Sequence, residues 1–204
     1  MQIQVSLPKK KQAWKQVVEH KLLAQAFVLG FFGHAVAEKE LIGYSSSVCS
    51  GDTTNREAVG AHTYFSALFG SRFSRRNDDA TNSMLDYGYS IMRSAVARAV
   101  VGTGLYPGLP VFHSNRLNPF ALVDDFMEPL RPLVDLVVIG LLDEGFTDLN
   151  PDVKKRLIAL SSIPVSFNGD SYELTFAVQM MMESYLRYLK GEESQISFPL
   201  ISGH

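Results

Sequence analysis

A mostly α, single helical domain of about six to eight helices is the fold class this sequence predicts, with one short β-hairpin near 165–172 and an extended N-terminal arm. Three observations carry it. Apolar residues recur at three- and four-residue spacings over several long segments. Two of those segments open on the same pair, Asn118-Pro119 and Asn150-Pro151, a capping residue followed by a proline suited to the first helical position. One hairpin signal stands among them, Asn168-Gly169 between short extended runs. At 204 residues, 46% hydrophobic and 20% charged, the chain can bury one well-formed core.

Residues 1–8 alternate apolar and polar and then meet Pro8, which reads as an extended arm or the remnant of a β-domain. Residues 9–191 form the helical domain and 192–204 an irregular tail. Trp14, Val17, Val18, Leu22, Ala26 and Leu29 make an apolar stripe on a helix from Lys9 to about Leu41, which Gly30 and Gly33 kink or split. Gly43 to Gly51 is small and polar, a loop. Asp52, Thr53, Thr54 and Asn55 offer N-caps for a helix to about Phe69.

On that helix Glu57, Ala61, Tyr64 and Leu68 share a face. Two readings of Glu57 stand. It is an acid on the core face that needs a partner or a metal, or a first-turn acid favoured by the helix dipole. Gly60 and Ala61 allow another element to approach beside it. The loop from Ser71 to Asp79 carries Arg72, Arg75 and Arg76, either a solvated loop or a basic cluster. Ala80 to about Val101 is the strongest helix, with Met84, Tyr87, Gly88, Ile91, Ala95 and Ala99 in one stripe. Arg93 and Arg98 point away from that stripe.

The Gly- and Pro-rich stretch Gly102 to Pro110 delivers His113, a packed core group or a ligand. Beyond Asn118-Pro119, Asp125 and Glu128 are three apart on one face, and Asp124 and Glu128, four apart, serve as the alternative pair. Pro129 can donate no hydrogen bond, so the backbone should bend at the carboxylates. Glu173 to Lys190 is the last helix, stopped by Gly191.

The net charge is −2, which excludes a simple basic coat for nucleic acid. The one cysteine, Cys49, excludes an internal disulfide and fits a reducing cytoplasm. The most apolar stretch, Leu22 to Phe32, falls short of the ~20 residues that span a bilayer, so a soluble protein without a membrane partner is expected. There is no GxSxG elbow, no phosphate-binding GxxxxGK[ST] loop, no Glu-x-x-His pair and no Cys-x-x-Cys pattern. Two or three carboxylates and one histidine remain. Hard oxygen ligands favour Mg²⁺ or Mn²⁺, and one imidazole tilts the choice toward Mn²⁺.

Four stretches go further: AWKQVVEHKLLAQA at 13–26, NREAVGAHTYFSALFG at 55–70, LDYGYSIMRSAVARAVV at 85–101 and HSNRLNPFALVDDFMEPLRPLVD at 113–135. Together they resemble the CRISPR adaptation integrase, the Cas-one family, most closely its type II branch. The resemblance implies a mostly helical catalytic domain with Mn²⁺ or Mg²⁺ held by Glu57, His113 and Glu128, and with Asp125 close by. It implies integration of prespacer DNA into a CRISPR array, the 3′-hydroxyls attacking phosphodiesters at the repeat ends. The implied partners are DNA, a second copy of the chain as a homodimer, and the Cas-two protein. Family members carry an N-terminal β-rich domain ahead of the Trp14 helix, and only Met1 to Leu7 here match its place. The expectation is therefore the catalytic domain with that β-domain missing. A non-catalytic DNA-binding or assembly module, using Arg72, Arg75, Arg76 and Arg116, is the alternative.

Overall fold

The computed structural model describes residues 2–113 and 117–201. Among them are eight α-helices and one two-stranded antiparallel hairpin. No helix there is long and apolar enough to cross a membrane.

The first helix, α1 (Leu7–Phe31), is the central strut. Ser6 caps it, with its hydroxyl accepting from the Lys9 N–H, and Pro8 fits its first turn. The expected stripe is buried throughout: Trp14, Val17, Val18, Leu22, Ala26 and Leu29. The segment read as an extended arm instead turns as a 3-10 helix at Gln2–Gln4. The Gln2 side chain ties it to the backbone of Tyr106 and Leu109. The helix splits where the glycines stand, Gly33 taking φ +81° before α2 (Ala35–Ser46). Helix α2 therefore runs into the stretch read as a loop from Gly43. It packs on α1 and on α3 (Arg56–Phe69).

Helix α4 (Ala80–Gly102) crosses α5 (Ala121–Met127), α6 (Arg131–Asp143), α7 (Pro151–Ala159) and α8 (Leu174–Lys190). Gly88 lets α6 and α7 approach, since a methyl there would collide with Val134. The expected bend is present: α5 ends at Met127, Glu128–Leu130 form one 3-10 turn, and α6 starts at Arg131. Helix α5 begins two residues later than Asn118-Pro119 suggests. Asn118 accepts the Phe120 N–H instead of capping the helix directly.

The hairpin pairs β1 (Pro164–Phe167) with β2 (Asp170–Glu173), Val165 facing Tyr172. Asn168 and Gly169 both take positive φ in its two-residue turn. The tail is irregular yet anchored. Leu200 bridges Ser166, Ile196 donates its N–H to Gln16, and Phe198 is buried against the His20 ring.

Candidate metal and DNA-strand site

Three elements converge on one buried cation. Lys21, in the middle of α1, places its Nζ 2.7 Å from Glu57 Oε1 on α3 and 2.5 Å from Glu128 Oε2 in the 3-10 turn. On the far side Arg131 Nε reaches Glu128 Oε1 at 2.9 Å. Burial alone would push the Lys21 ammonium down, but the Glu128 and Glu57 carboxylates hold it above its ordinary value. Burial would push Glu128 up, but Lys21 and Arg131 hold it below the usual carboxylate range.

The fold explains why Glu57 arrives here. Asp52 accepts the backbone N–H groups of Arg56 and Glu57, so the start of α3 is already satisfied. Asn55, in left-handed backbone at φ +54°, makes no capping bond. Of the two readings of Glu57, the side chain takes the first, turning to a partner on the core side. Close approach depends on Gly60, where a methyl would collide with Leu22 Cδ2 of α1.

The second half of the site is the pair His113 and Asp125. His113 Nδ1 donates to Asp125 Oδ1 at 2.7 Å. Asp125 Oδ2 accepts the N–H groups of Val111 at 2.7 Å and Phe112 at 2.9 Å. This fully buried carboxylate thus fixes both the loop and the ring, and it leaves Nε2 as the ring nitrogen turned away from it. The His113 ring stands edge-on to Trp14, on which Phe112 is stacked. The bond to Asp125 holds the imidazole above its ordinary pKa against partial burial, and the charges of Asp125, Glu57 and Glu128 add to it. His113 is half exposed, so it is not a packed core group.

The remaining carboxylate is committed elsewhere. Asp124 accepts from Arg93 at 2.6 Å and from Asn118 at 2.7 Å. It does not pair with Glu128. Asp125, not Asp124, shares the site with Glu128. Arg75 turns inward, bonded to Asn82 and Asp86 and lying over the Tyr89 ring, whereas Arg72 and Arg76 are exposed. Arg116 lies outside the described residues.

Among the described residues no group of three or more His, Cys, Asp or Glu side chains is arranged to hold a metal ion. The donor chemistry nevertheless fits a divalent ion. Two carboxylates are already drawn onto one positive charge, and an oriented imidazole feels the field of both. Lys21 is the site residue that sequence reasoning missed. Its signal is there: Trp14, Val18, Lys21 and Gln25 follow the spacing of a buried helical stripe, and a lysine on such a stripe needs partners.

The profile of the family described as CRISPR associated protein Cas1 matches residues 55–156, which carry Glu57, His113, Asp125 and Glu128. A CRISPR-associated endonuclease Cas1 from Neisseria meningitidis is 43% identical over 187 residues, covering 91% of this chain and 62% of the relative. One from Francisella tularensis subsp. novicida is 30% identical, covering 70% of this chain and 50% of its own length. The chain thus spans between half and two thirds of these relatives. Among solved structures, a casposase bound to integration product superposes with a TM-score of 0.75 at 19% identity, covering 92% of this chain and 66% of that one. A Cas1 protein from Thermotoga maritima gives 0.73 at 15% identity, covering 90% and 69%. A Cas6-RT-Cas1–Cas2 complex gives 0.74 at 15%, covering 96% and 25%. These likenesses establish the shared helical fold; the profile match and the Neisseria sequence place the chain in the Cas1 family.

Proposed function

We propose that the chain is a metal-dependent DNA integrase and endonuclease of CRISPR adaptation. The reaction would be phosphodiester transesterification by a 3′-hydroxyl, or hydrolysis by water. The observation that carries this reading is the convergence of Glu57 and Glu128 on one buried positive charge beside the His113–Asp125 pair.

The residues to hold Mn²⁺ or Mg²⁺ are Glu57, His113 and Glu128. When bound, the ion would lower the pKa of an attacking hydroxyl and take up charge developing on the phosphate. The chain's own groups prepare for that. Asp125 holds His113 in the tautomer that turns Nε2 outward, and the loop it pins through Val111 and Phe112 keeps the ring against Trp14. Arg131 keeps Glu128 ionised and supplies a second positive charge at the rim, suited to a phosphate. Pro129 and the 3-10 turn set Glu128 at the junction of α5 and α6, where it faces α1.

DNA is the proposed substrate. A second copy of the chain and the Cas2 protein are the proposed partners, in keeping with the named assembly of the structural relative. The alternative, a basic non-catalytic module, gains little support. Arg75 of its cluster is spent on Asn82 and Asp86.

The test is incubation with Mn²⁺, a short duplex and a supercoiled plasmid carrying a repeat. Wild type should give metal-dependent strand-transfer or nicked products that His113→Ala lacks. Identical products from both would remove this site from the chemistry.

A further inference from the structure

One buried acceptor beside the site is without a partner. Gln25 is 2% exposed, and its Oε1 receives no hydrogen bond among the described residues. An orphaned buried carbonyl has given up its water for nothing, so it calls for an explanation. Its position supplies one. Gln25 lies one turn beyond Lys21 on α1, and residues four apart on a helix are surface neighbours. Its Oε1 faces Gly60, which lies one turn beyond Glu57 on α3. Lys21, Gln25, Glu128 and Arg131 line the same cavity of about 250 Å³. The residue that bears the unused acceptor therefore lines the space beside the bridging ammonium.

A divalent ion and the Lys21 ammonium would compete for the same oxygens, Glu57 Oε1 and Glu128 Oε2. Two positive charges would then be drawn to one pair of carboxylates. We propose that Lys21 is a tethered counter-cation that yields the two carboxylates to the incoming ion, its ammonium passing to Gln25 Oε1. Lys21 is a positioning residue in this scheme. In the ion's absence it bridges Glu57 and Glu128 and holds them close together, so the site does not spring apart. In the ion's presence it stays in the cavity as a buried charge with a new acceptor. Four rotatable bonds give the side chain the reach, and α1 itself need not move. The proposal rests on the metal-binding reading above.

The experiment measures Mn²⁺ binding by calorimetry and melting temperature with and without EDTA, on the full chain at fixed pH. Lys21→Met removes the ammonium and keeps the apolar stem. It should bind Mn²⁺ about ten-fold more tightly, because nothing has to be displaced. It should also melt lower than wild type in EDTA, where two carboxylates face each other uncompensated, and gain more on adding Mn²⁺. Gln25→Leu removes only the landing acceptor. It should melt no lower than wild type in EDTA, since the orphaned carbonyl is gone, yet bind Mn²⁺ several-fold more weakly. Unchanged or weaker Mn²⁺ affinity in Lys21→Met overturns the exchange. Unchanged affinity in Gln25→Leu overturns the landing site and the proposal with it. Glu128→Gln separates the two levels. If wild type binds no more Mn²⁺ than this variant does, the metal reading itself fails. If wild type binds clearly and Lys21→Met binds equally, only the exchange fails.

Discussion

The buried carboxylate of Asp125 pairs with the half-exposed imidazole of His113, Oδ1 to Nδ1 at 2.7 Å, and also holds the backbone that carries the ring. Orientation and loop position thus depend on one side chain. Asp125→Asn offers one acceptor oxygen where two now serve, and it aims an N–H₂ at backbone donors. The cost should be about 3 kcal/mol. The bond to Asp125 is the largest cause raising the His113 pKa, so the variant's imidazole should titrate lower than that of wild type. Proton NMR of the ring during a pH titration reads the shift, and amide exchange at Val111 and Phe112 reads the loop. An unmoved His113 titration would mean that Asp125 does not govern the ring.

The two carboxylates at Lys21 are unequal, and their variants should separate. Glu128 takes Lys21 and Arg131 together and is nearly buried, whereas Glu57 takes Lys21 alone and is more open. Glu128→Gln leaves the buried Lys21 with Glu57 alone and the partly exposed Arg131 without its anion, and should cost about 3 kcal/mol. Glu57→Gln leaves Lys21 still paired with Glu128 and should cost about 1 kcal/mol. Urea unfolding of both variants checks the order. Glu57→Gln is therefore the cleaner probe of chemistry: loss of Mn²⁺-dependent products in a protein of near-normal stability.

Gly60 is predicted to matter through distance. A methyl there meets Leu22 Cδ2, and α3 cannot stay as close to α1. Gly60→Ala should lose about 1–3 kcal/mol and draw Glu57 away from Lys21, lowering strand-transfer activity. Adding Leu22→Ala removes the colliding atom and should restore part of both. Thermal melting and the plasmid assay on the single and double variants check it. Additive losses would show that the two positions do not share this contact.

Much of this arrangement is legible in the sequence, and the part that is not has a common cause. The stripe from Trp14 to Leu29, the split at Gly33, the bend at Pro129 and the Asn168-Gly169 turn all follow from local spacing and backbone preference. What local reading leaves open is settled by the partners that the folded backbone brings within reach, some of them far along the chain. Asp52 displaces Asn55 as the cap because its carboxylate reaches two N–H groups at once. Arg75 leaves the solvated loop because Asn82, Asp86 and the Tyr89 face lie one helix away. The tail after Gly191 has no periodicity, yet Phe198 is buried because the His20 ring offers it a surface. Lys21 hides for the same reason: its partners are 36 and 107 residues away, and only the assembled α1–α3–α6 junction makes a lysine tolerable there.

Asp135, beneath the cavity, should set a pH dependence of its own. Its carboxylate is buried and accepts the hydroxyls of Tyr64, at 2.9 Å, and Tyr89. Burial pushes its pKa up to about 6 from an ordinary 3.8, even though both tyrosines and the nearby Arg131 and Arg75 pull the other way. The native state therefore holds a proton that the unfolded state has already released between those two values. By linkage this group's contribution to stability is highest below the unfolded pKa, falls as pH rises from about 4 to about 6, and is flat above. Asp135→Asn has no proton to exchange. Relative to wild type it should gain on the order of 2–3 kcal/mol between pH 4 and pH 7, whatever constant offset the altered hydrogen bonds add. Comparing each variant with wild type at the same pH cancels the other carboxylates, including Glu128, whose lowered pKa works in the opposite sense. Denaturant unfolding at pH 4, 5, 6 and 7 checks it. A difference between the two proteins that does not change across that range would mean that Asp135 ionises as readily in the fold as outside it.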